Sequence, residues 1–204
     1  EDWQVVGQEY YLTERLRNTV KWINDYRTEH NIKFVVVLGD ISDSGEYSEI
    51  VKAKDILGAL AMPYIPIIGN HDILPNTEEE EFEHVRYFEF VFKDQFERLE
   101  EDASFGWCKQ PSPDPSDLQN YAFSYGEIKF IVLDCVTRKP SPIGPGVGSD
   151  AVLWDSSLAW LTENLHEDQP TIIFSHHPFV NREWDAFSDF EIATIDEAIK
   201  ISKA

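Results

Sequence analysis

Cysteine, methionine and basic residues are scarce in this chain. Its 204 residues include two cysteines, one methionine, and 17 Lys and Arg against 38 Asp and Glu. Two cysteines, Cys108 and Cys135, build neither a disulfide framework nor a thiolate-rich cluster. The net charge of −21 disfavours a nucleic-acid partner held by broad electrostatic attraction. No apolar stretch is long enough to span a bilayer, and no signal peptide is visible.

What the sequence does contain is three short polar loops, each directly after an apolar run. The runs at 34–38, 64–68 and 171–174 are typical of buried strands in a sheet that is covered on both faces. Because neighbouring strands end at one edge of a sheet, side chains in the loops that follow can meet in one crevice. The side chains that we expect to meet there are Asp40, Asn70, His71 and His176.

The residue types in these loops indicate a metal site. Carboxylate, amide oxygen and imidazole together suit a borderline divalent ion such as manganese, iron, zinc or nickel. A glycine precedes Asp40 and another precedes Asn70, and glycine lets the backbone turn sharply without a penalty from Cβ.

The loops also carry a recognisable series of motifs. G-D-x-x-D stands at residues 39–43, G-N-H-D at 69–72, and His176 follows a third strand. In this order the motifs resemble those of the calcineurin-like binuclear metallophosphoesterases, over residues 33–179. The resemblance implies an α/β fold of two packed mixed β-sheets flanked by helices, an αββα sandwich. We expect one domain over residues 1–204, with a helical or loop insertion around 76–118.

The resemblance also implies a role for each loop residue. Asp40 corresponds to the carboxylate that bridges two metals, and Asn70 and His176 correspond to ligands of the second metal. His71 corresponds to the histidine that contacts the substrate phosphate or the leaving oxygen. Asp72 would orient His71. Asp43 stands where purple acid phosphatases carry a metal-binding tyrosinate, which disfavours a coloured Fe(III)–tyrosinate enzyme.

Simpler interpretations remain for several of these residues. Asp40 could cap a helix and His71 could be a structural histidine, although we favour the ligand and the catalytic role. His176 is the preferred ligand over His177, which would then support it from outside the ligand set. Asp43 is either a supporting residue or a turn carboxylate. Four further charged residues are better explained as a cap or as exposed charges than as site residues: Asp134, Arg138, Lys139 and Arg182.

Two motifs of the family series, D-x-H and G-H-x-H, are absent from the sequence. We expect both to lie outside the ends of this chain, so that the fold is incomplete at both ends. The intact protein would bind two divalent ions, whereas this stretch would hold at most one, weakly, through Asp40, Asn70 and His176.

The function that the resemblance implies is hydrolysis of phosphoesters. A metal-bridging hydroxide would attack phosphorus in line, and His71 would stabilise or protonate the leaving alkoxide. The alternative is a phosphoesterase-like binding or interaction module without catalysis. A small phosphoester is the expected substrate, and a nuclease is disfavoured by the charge. Nothing in the sequence distinguishes mono- from diesters, or identifies the metal, the compartment or the oligomeric state.

Apolar periodicity predicts the remaining elements. Helices are expected at 12–26 and 47–60, with the strands on either side of the second helix running parallel. A third helix is expected at 88–99, and a hairpin turning at Gly126 should join strands 121–125 and 128–133. Further helices are expected at 153–165 and 192–201, and irregular loops at 111–115 and 141–149.

Overall fold

The structure is a computed structural model that describes residues 8–73, 81–110, 118–137, 151–165, 168–179 and 187–201. In this part of the chain there are five α-helices and six strands, in the order α1-β1-α2-β2-α3-β3-β4-β5-α4-β6-α5. The helices are α1 Gln8–Tyr26, α2 Tyr47–Leu57, α3 Glu81–Glu101, α4 Asp155–Asn164 and α5 Asp189–Ile201. The strands are β1 Val35–Val37, β2 Tyr64–Pro66, β3 Cys108–Lys109, β4 Tyr121–Tyr125, β5 Ile128–Leu133 and β6 Thr171–Ser175. A short 3-10 turn spans His71–Ile73.

The strands form two sheets. β1 and β2 pair in parallel around helix α2, as the sequence predicts for a crossover unit. The second sheet has the order β3-β4-β5-β6, in which β4 and β5 form the predicted antiparallel hairpin and β6 runs parallel to β5. Gly126 turns the hairpin with φ 62°, a conformation that favours glycine. Because it contains both antiparallel and parallel pairs, the second sheet is mixed.

Side chains on the second sheet alternate between two hydrophobic clusters. Phe123, Phe130 and Val132 point into a cluster shared with the first sheet and with helices α1 to α3. Ile131 and Leu133 point the other way, into a cluster with α4 and α5. Because successive strand residues face opposite sides, one hydrophobic run fills both clusters. The layers are helices, sheet, sheet, helices, which confirms the predicted αββα architecture.

Two of the predicted strands are longer than the observed ones, and two are not covered on both faces. Instead of 34–38 and 64–68, the strands span Val35–Val37 and Tyr64–Pro66. Leu38 is 52% exposed and Ile172 in β6 is 45% exposed, so β1 and β6 are only partly covered. The expectation of full coverage is wrong for these two strands. It holds for β2, whose three residues are all buried.

The segment predicted as an insertion contributes to the common core. In α3, Phe88, Phe92 and Phe96 are buried in the cluster that joins the two sheets. Further along, β3 pairs with β4 and adds a strand to the second sheet, which the prediction of a helical or loop insertion did not include. We therefore propose that the segment at 76–118 belongs to a single domain.

Several predictions fall on residues outside the described ranges. They are the loops at 111–115 and 141–149 and the charged side chains of Arg138, Lys139 and Arg182. Within the described ranges, no helix combines the length and the apolar character needed to cross a membrane.

A buried hydrogen bond joins the two sheets. The hydroxyl of Tyr121 on β4 donates to the carbonyl of Pro66 on β2. Burial raises the pKa of Tyr121 above its ordinary value, so the hydroxyl keeps its proton and remains a donor.

Replacing this tyrosine should weaken the contact between the sheets. We expect Tyr121→Phe to lower the free energy of unfolding by about 0.5–2 kcal/mol, because the carbonyl of Pro66 loses its buried donor. Tyr125→Phe is the control, since Tyr125 lies on the same strand, is only partly buried, and packs its ring against Phe34 and Phe105. Urea unfolding of the three proteins measures the difference. Equal losses in both variants would contradict the proposed link.

Candidate metal centre

The loops after β1 and β2 approach each other closely because both contain glycine. Gly39 has φ 90° and Asp40 has φ 50°, so two successive residues lie in the left-handed region. A Cβ on Gly39 would lie 2.5 Å from Nδ1 of His176. A Cβ on Gly69 would overlap the backbone nitrogen and Oδ1 of Asp40. The glycines thus permit contact between the predicted ligand loops.

The structure brings the three predicted ligands together. Nε2 of His176 lies 2.9 Å from Oδ1 of Asn70 and 3.3 Å from Oδ1 of Asp40. The other ring nitrogen, Nδ1, lies 2.7 Å from the backbone carbonyl oxygen of Leu38 at the end of β1. Oδ1 of Asp40 also accepts a hydrogen bond of 3.0 Å from the backbone N–H of His71.

The contact with Leu38 fixes the tautomer of His176. The carbonyl of Leu38 can only accept, so Nδ1 carries the proton, and the lone pair on Nε2 of the neutral ring faces the side chains of Asn70 and Asp40. That lone pair can accept a hydrogen bond from the amide group of Asn70 or bind a cation between the three side chains.

The spacing and chemistry of these atoms fit a divalent cation. Donor atoms about 2.1 Å from a common ion and at right angles to each other lie about 3.0 Å apart. Imidazole, amide and carboxylate are ligands that borderline divalent ions accept. Within the described ranges, however, no group of three or more His, Cys, Asp or Glu side chains could hold a metal. The candidate centre has only two such side chains, with Asn70 as the third donor.

Asp72 joins the loops below this centre. Its Oδ1 accepts hydrogen bonds from the backbone N–H and the hydroxyl of Ser42, at 2.8 and 3.0 Å, and its Oδ2 accepts one of 2.8 Å from the N–H of Gly69. The side chain is completely buried, and burial raises its pKa to about 6. The sequence predicts that Asp72 orients His71. Instead, the carboxylate bonds to the backbone of both loops.

The partner of His71 is Asp43. Nδ1 of His71 lies 2.7 Å from the backbone carbonyl oxygen of Asp43, and within the described ranges Nε2 of the ring has no hydrogen bond. The carboxylate of Asp43 is 79% exposed, and its Oδ1 lies 3.8 Å from the same Nδ1. Asp43 is therefore positioned to support His71 rather than to bind the cation.

The two adjacent histidines after β6 face different surroundings. His176 faces Asp40 and Asn70, whereas His177 is buried, with its ring 6.4 Å from that of Phe187. Only His176 therefore joins the predicted ligands. Asp134 serves as a loop cap, as expected, because it accepts hydrogen bonds from the backbone N–H groups of Gln119 and Val136.

Sequence reasoning missed two side chains near the centre, Ser42 and Glu49. Ser42 binds Asp72, and Glu49 accepts hydrogen bonds from the loop that contains Asp43. Glu49 had a detectable signal, because an acidic residue in the first turn of a helix commonly bonds to the preceding backbone. Ser42 occupies a variable position of G-D-x-x-D, so the motif gave no signal for it.

Comparison with known proteins places this geometry in a family. Residues 2–198 match the calcineurin-like phosphoesterase family. The chain belongs to that family. The match extends beyond the motif-bearing residues 33–179 and includes the positions of α1 and of most of α5.

Two relatives of this calcineurin-like phosphoesterase carry a functional name. The chain is 30% identical to the glycerophosphodiester phosphodiesterase GpdQ of Enterobacter lignolyticus over 146 residues, which is 71% of the chain's own length. It is 25% identical over 169 residues, or 82% of its length, to the probable glycerophosphodiester phosphodiesterase GpdQ of Arcobacter nitrofigilis. The alignments cover 41% and 49% of those proteins, so the chain spans less than half of their length.

The close approach at Gly69 generates a prediction for this phosphoesterase. Gly69→Ala should lower the free energy of unfolding by about 1–3 kcal/mol, because the added methyl group must displace the loop that carries Asp40. Gly106→Ala is the control, since a Cβ there would lie 3.6 Å from its nearest neighbour, an ordinary contact. Thermal or urea unfolding measures both. If Gly69→Ala is as mild as Gly106→Ala, the described approach of the loops is incorrect.

Proposed function

We propose that this chain forms the catalytic core of a metal-dependent phosphoester hydrolase. The observation that supports this most directly is the meeting of Nε2 of His176 with the oxygens of Asn70 and Asp40. The names of the two relatives favour phosphodiesters over monoesters as substrates. Because the chain spans less than half of those proteins, we propose the phosphodiesterase activity for this chain and do not infer it from the relatives' names alone.

Asp40, Asn70 and His176 would hold the cation. The backbone carbonyl of Leu38 fixes the His176 ring by accepting from Nδ1, which keeps Nε2 available as a ligand. Asp40 is positioned by the N–H of His71, so its carboxylate cannot turn away without losing that bond. When bound, divalent cations supply a hydroxide nucleophile at neutral pH and neutralise charge on the phosphate oxygens. We further propose that the intact protein binds two divalent ions and that this stretch alone holds at most one, weakly.

His71 would act on the leaving group. Its Nδ1 is held by the carbonyl of Asp43, so the ring presents Nε2 to the crevice and can stabilise or protonate the departing alkoxide. The Asp43 carboxylate lies 3.8 Å from the same Nδ1. Asp72 would contribute indirectly, by holding the two loops that carry Asp40 and Asn70.

The charge of the chain restricts the substrate. With a net charge of −21, the protein as a whole repels anions, so a phosphoester must be attracted locally by the cations. A small substrate that reaches the crevice meets this condition. A long nucleic acid would meet the repulsive field along its whole length, and we do not propose it as a substrate.

The second candidate function is a binding module without turnover. The small number of His and acidic side chains at the centre favours it, because the described residues alone would hold a cation weakly. Turnover by the complete, metal-loaded protein distinguishes the two candidates, since the module binds phosphoester analogues but does not hydrolyse them.

The ligand assignment predicts that Asp40→Asn abolishes cation binding. The substitution removes the only carboxylate among the three ligands, and with it the charge that attracts the ion. Calorimetric titration with Mn²⁺ should show at most one weak site in the parent chain and none in the variant. Asp25→Asn, which changes an exposed partner of Lys21, should titrate like the parent. Unchanged binding in Asp40→Asn, or two tight sites in the parent chain, would contradict the assignment.

The role of His71 predicts that His71→Ala lowers kcat for a phosphodiester by roughly a hundredfold or more, with metal content unchanged. The measurement uses the complete protein loaded with Mn²⁺. His30→Ala is the control, because His30 stacks on Trp22 away from the centre and should keep full activity. An unaltered kcat in a metal-replete His71→Ala variant would remove His71 from the mechanism.

A further inference from the structure

Glu49 organises the loop that contacts His71. It lies in the first turn of α2, and its Oε2 accepts three hydrogen bonds from the preceding loop. The donors are the backbone N–H of Asp43 at 3.2 Å, the backbone N–H of Ser44 at 3.0 Å and the hydroxyl of Ser44 at 3.1 Å. Three donors converging on one carboxylate oxygen hold the loop in a single conformation.

One of these donors shares a peptide group with the acceptor for His71. The N–H of Ser44 and the carbonyl of Asp43 belong to the same peptide unit, which is planar and trans, so the two groups point in opposite directions. Glu49 accepts on one side of this unit, and Nδ1 of His71 donates on the other, 2.7 Å from the carbonyl oxygen. A rotation of the peptide plane would break both bonds at once.

The charge of Glu49 acts along the same path. A carboxylate that accepts from a peptide N–H polarises the amide, and this makes its carbonyl oxygen a better acceptor. The bond from Nδ1 of His71 to Asp43 is strengthened accordingly. Glu49 therefore influences both the orientation of the His71 ring and the electron density at its opposite nitrogen, without touching the ring.

We propose that Glu49 is a positioning residue for His71, acting through the peptide unit between Asp43 and Ser44. The proposal depends on the proposed function, in which Nε2 of His71 assists departure of the leaving group. It assigns Glu49 no contact with the substrate or with the cation. Loss of Glu49 should therefore leave cation binding intact and reduce the contribution of His71 alone.

The kinetic test compares two phosphodiesters in the complete, Mn²⁺-loaded protein. Glu49→Ala should lower kcat by about tenfold to a hundredfold for a diester with an alkyl leaving group, with little change in KM. The loss in kcat should be smaller for a diester whose leaving group is p-nitrophenolate, because that group departs without being protonated. Glu49→Gln keeps an acceptor oxygen and should recover part of the activity. Glu46→Ala is the matched control, because the exposed side chain of Glu46 makes no capping hydrogen bond at the start of the same helix.

A double variant separates this proposal from the proposed function. If Glu49 acts through His71, then Glu49→Ala/His71→Ala should be no slower than His71→Ala alone. Multiplied losses in the double variant, or equal losses with both leaving groups, would overturn the positioning role while leaving His71 in the mechanism. If His71→Ala itself loses no activity, the proposed function fails first.

A structural measurement requires no metal and no turnover. In ¹⁵N NMR spectra of the metal-free protein, the ring Nδ1–H of His71 should be visible because the carbonyl of Asp43 protects it from exchange. That signal should shift or disappear in Glu49→Ala and persist in Glu46→Ala. A signal that is unchanged in Glu49→Ala would show that the peptide unit keeps its orientation without Glu49, and would overturn the proposal.

Discussion

The candidate centre depends on the hydrogen bond between Nδ1 of His176 and the carbonyl of Leu38. This bond ties the end of β6 to the end of β1 and determines which ring nitrogen faces Asp40 and Asn70. Because the neutral ring has only one proton, the bond leaves the lone pair of Nε2 facing those two side chains. The ends of β1 and β6 and the loop after β2 hold this ring close to the two side chains.

The two loops that supply the oxygens are stabilised by a separate set of contacts. Asp72 binds the backbone of both loops from below, and the glycines at 39 and 69 allow the approach. The left-handed backbone at Asp40 is a local strain, which these contacts can offset. The result is a tightly connected group of candidate ligands next to His71, whose Nδ1 is fixed by the carbonyl of Asp43. In the proposed function, a cation held there and His71 beside it would supply the nucleophile and the proton that phosphoester hydrolysis needs.

Much of the fold could be predicted from the sequence because short apolar runs and turn residues have few alternatives. The short apolar run at 128–133 predicted a strand, whose last four residues are buried, and Gly126 marked its hairpin turn. Partial exposure at Leu38 and Ile172 could not be predicted, since it depends on which elements cover each strand. At the site, the motifs identified residues that the structure brings together, but not their partners. The contact of His71 with Asp43 instead of Asp72 depends on the backbone path of the loop, and a motif does not encode that path.

The most direct test of the account is anomalous X-ray diffraction at the manganese edge from crystals of the protein equilibrated with Mn²⁺. The account predicts an anomalous peak about 2.0–2.4 Å from Nε2 of His176 and from the side-chain oxygens of Asp40 and Asn70. Absence of an anomalous peak between those three atoms would contradict it.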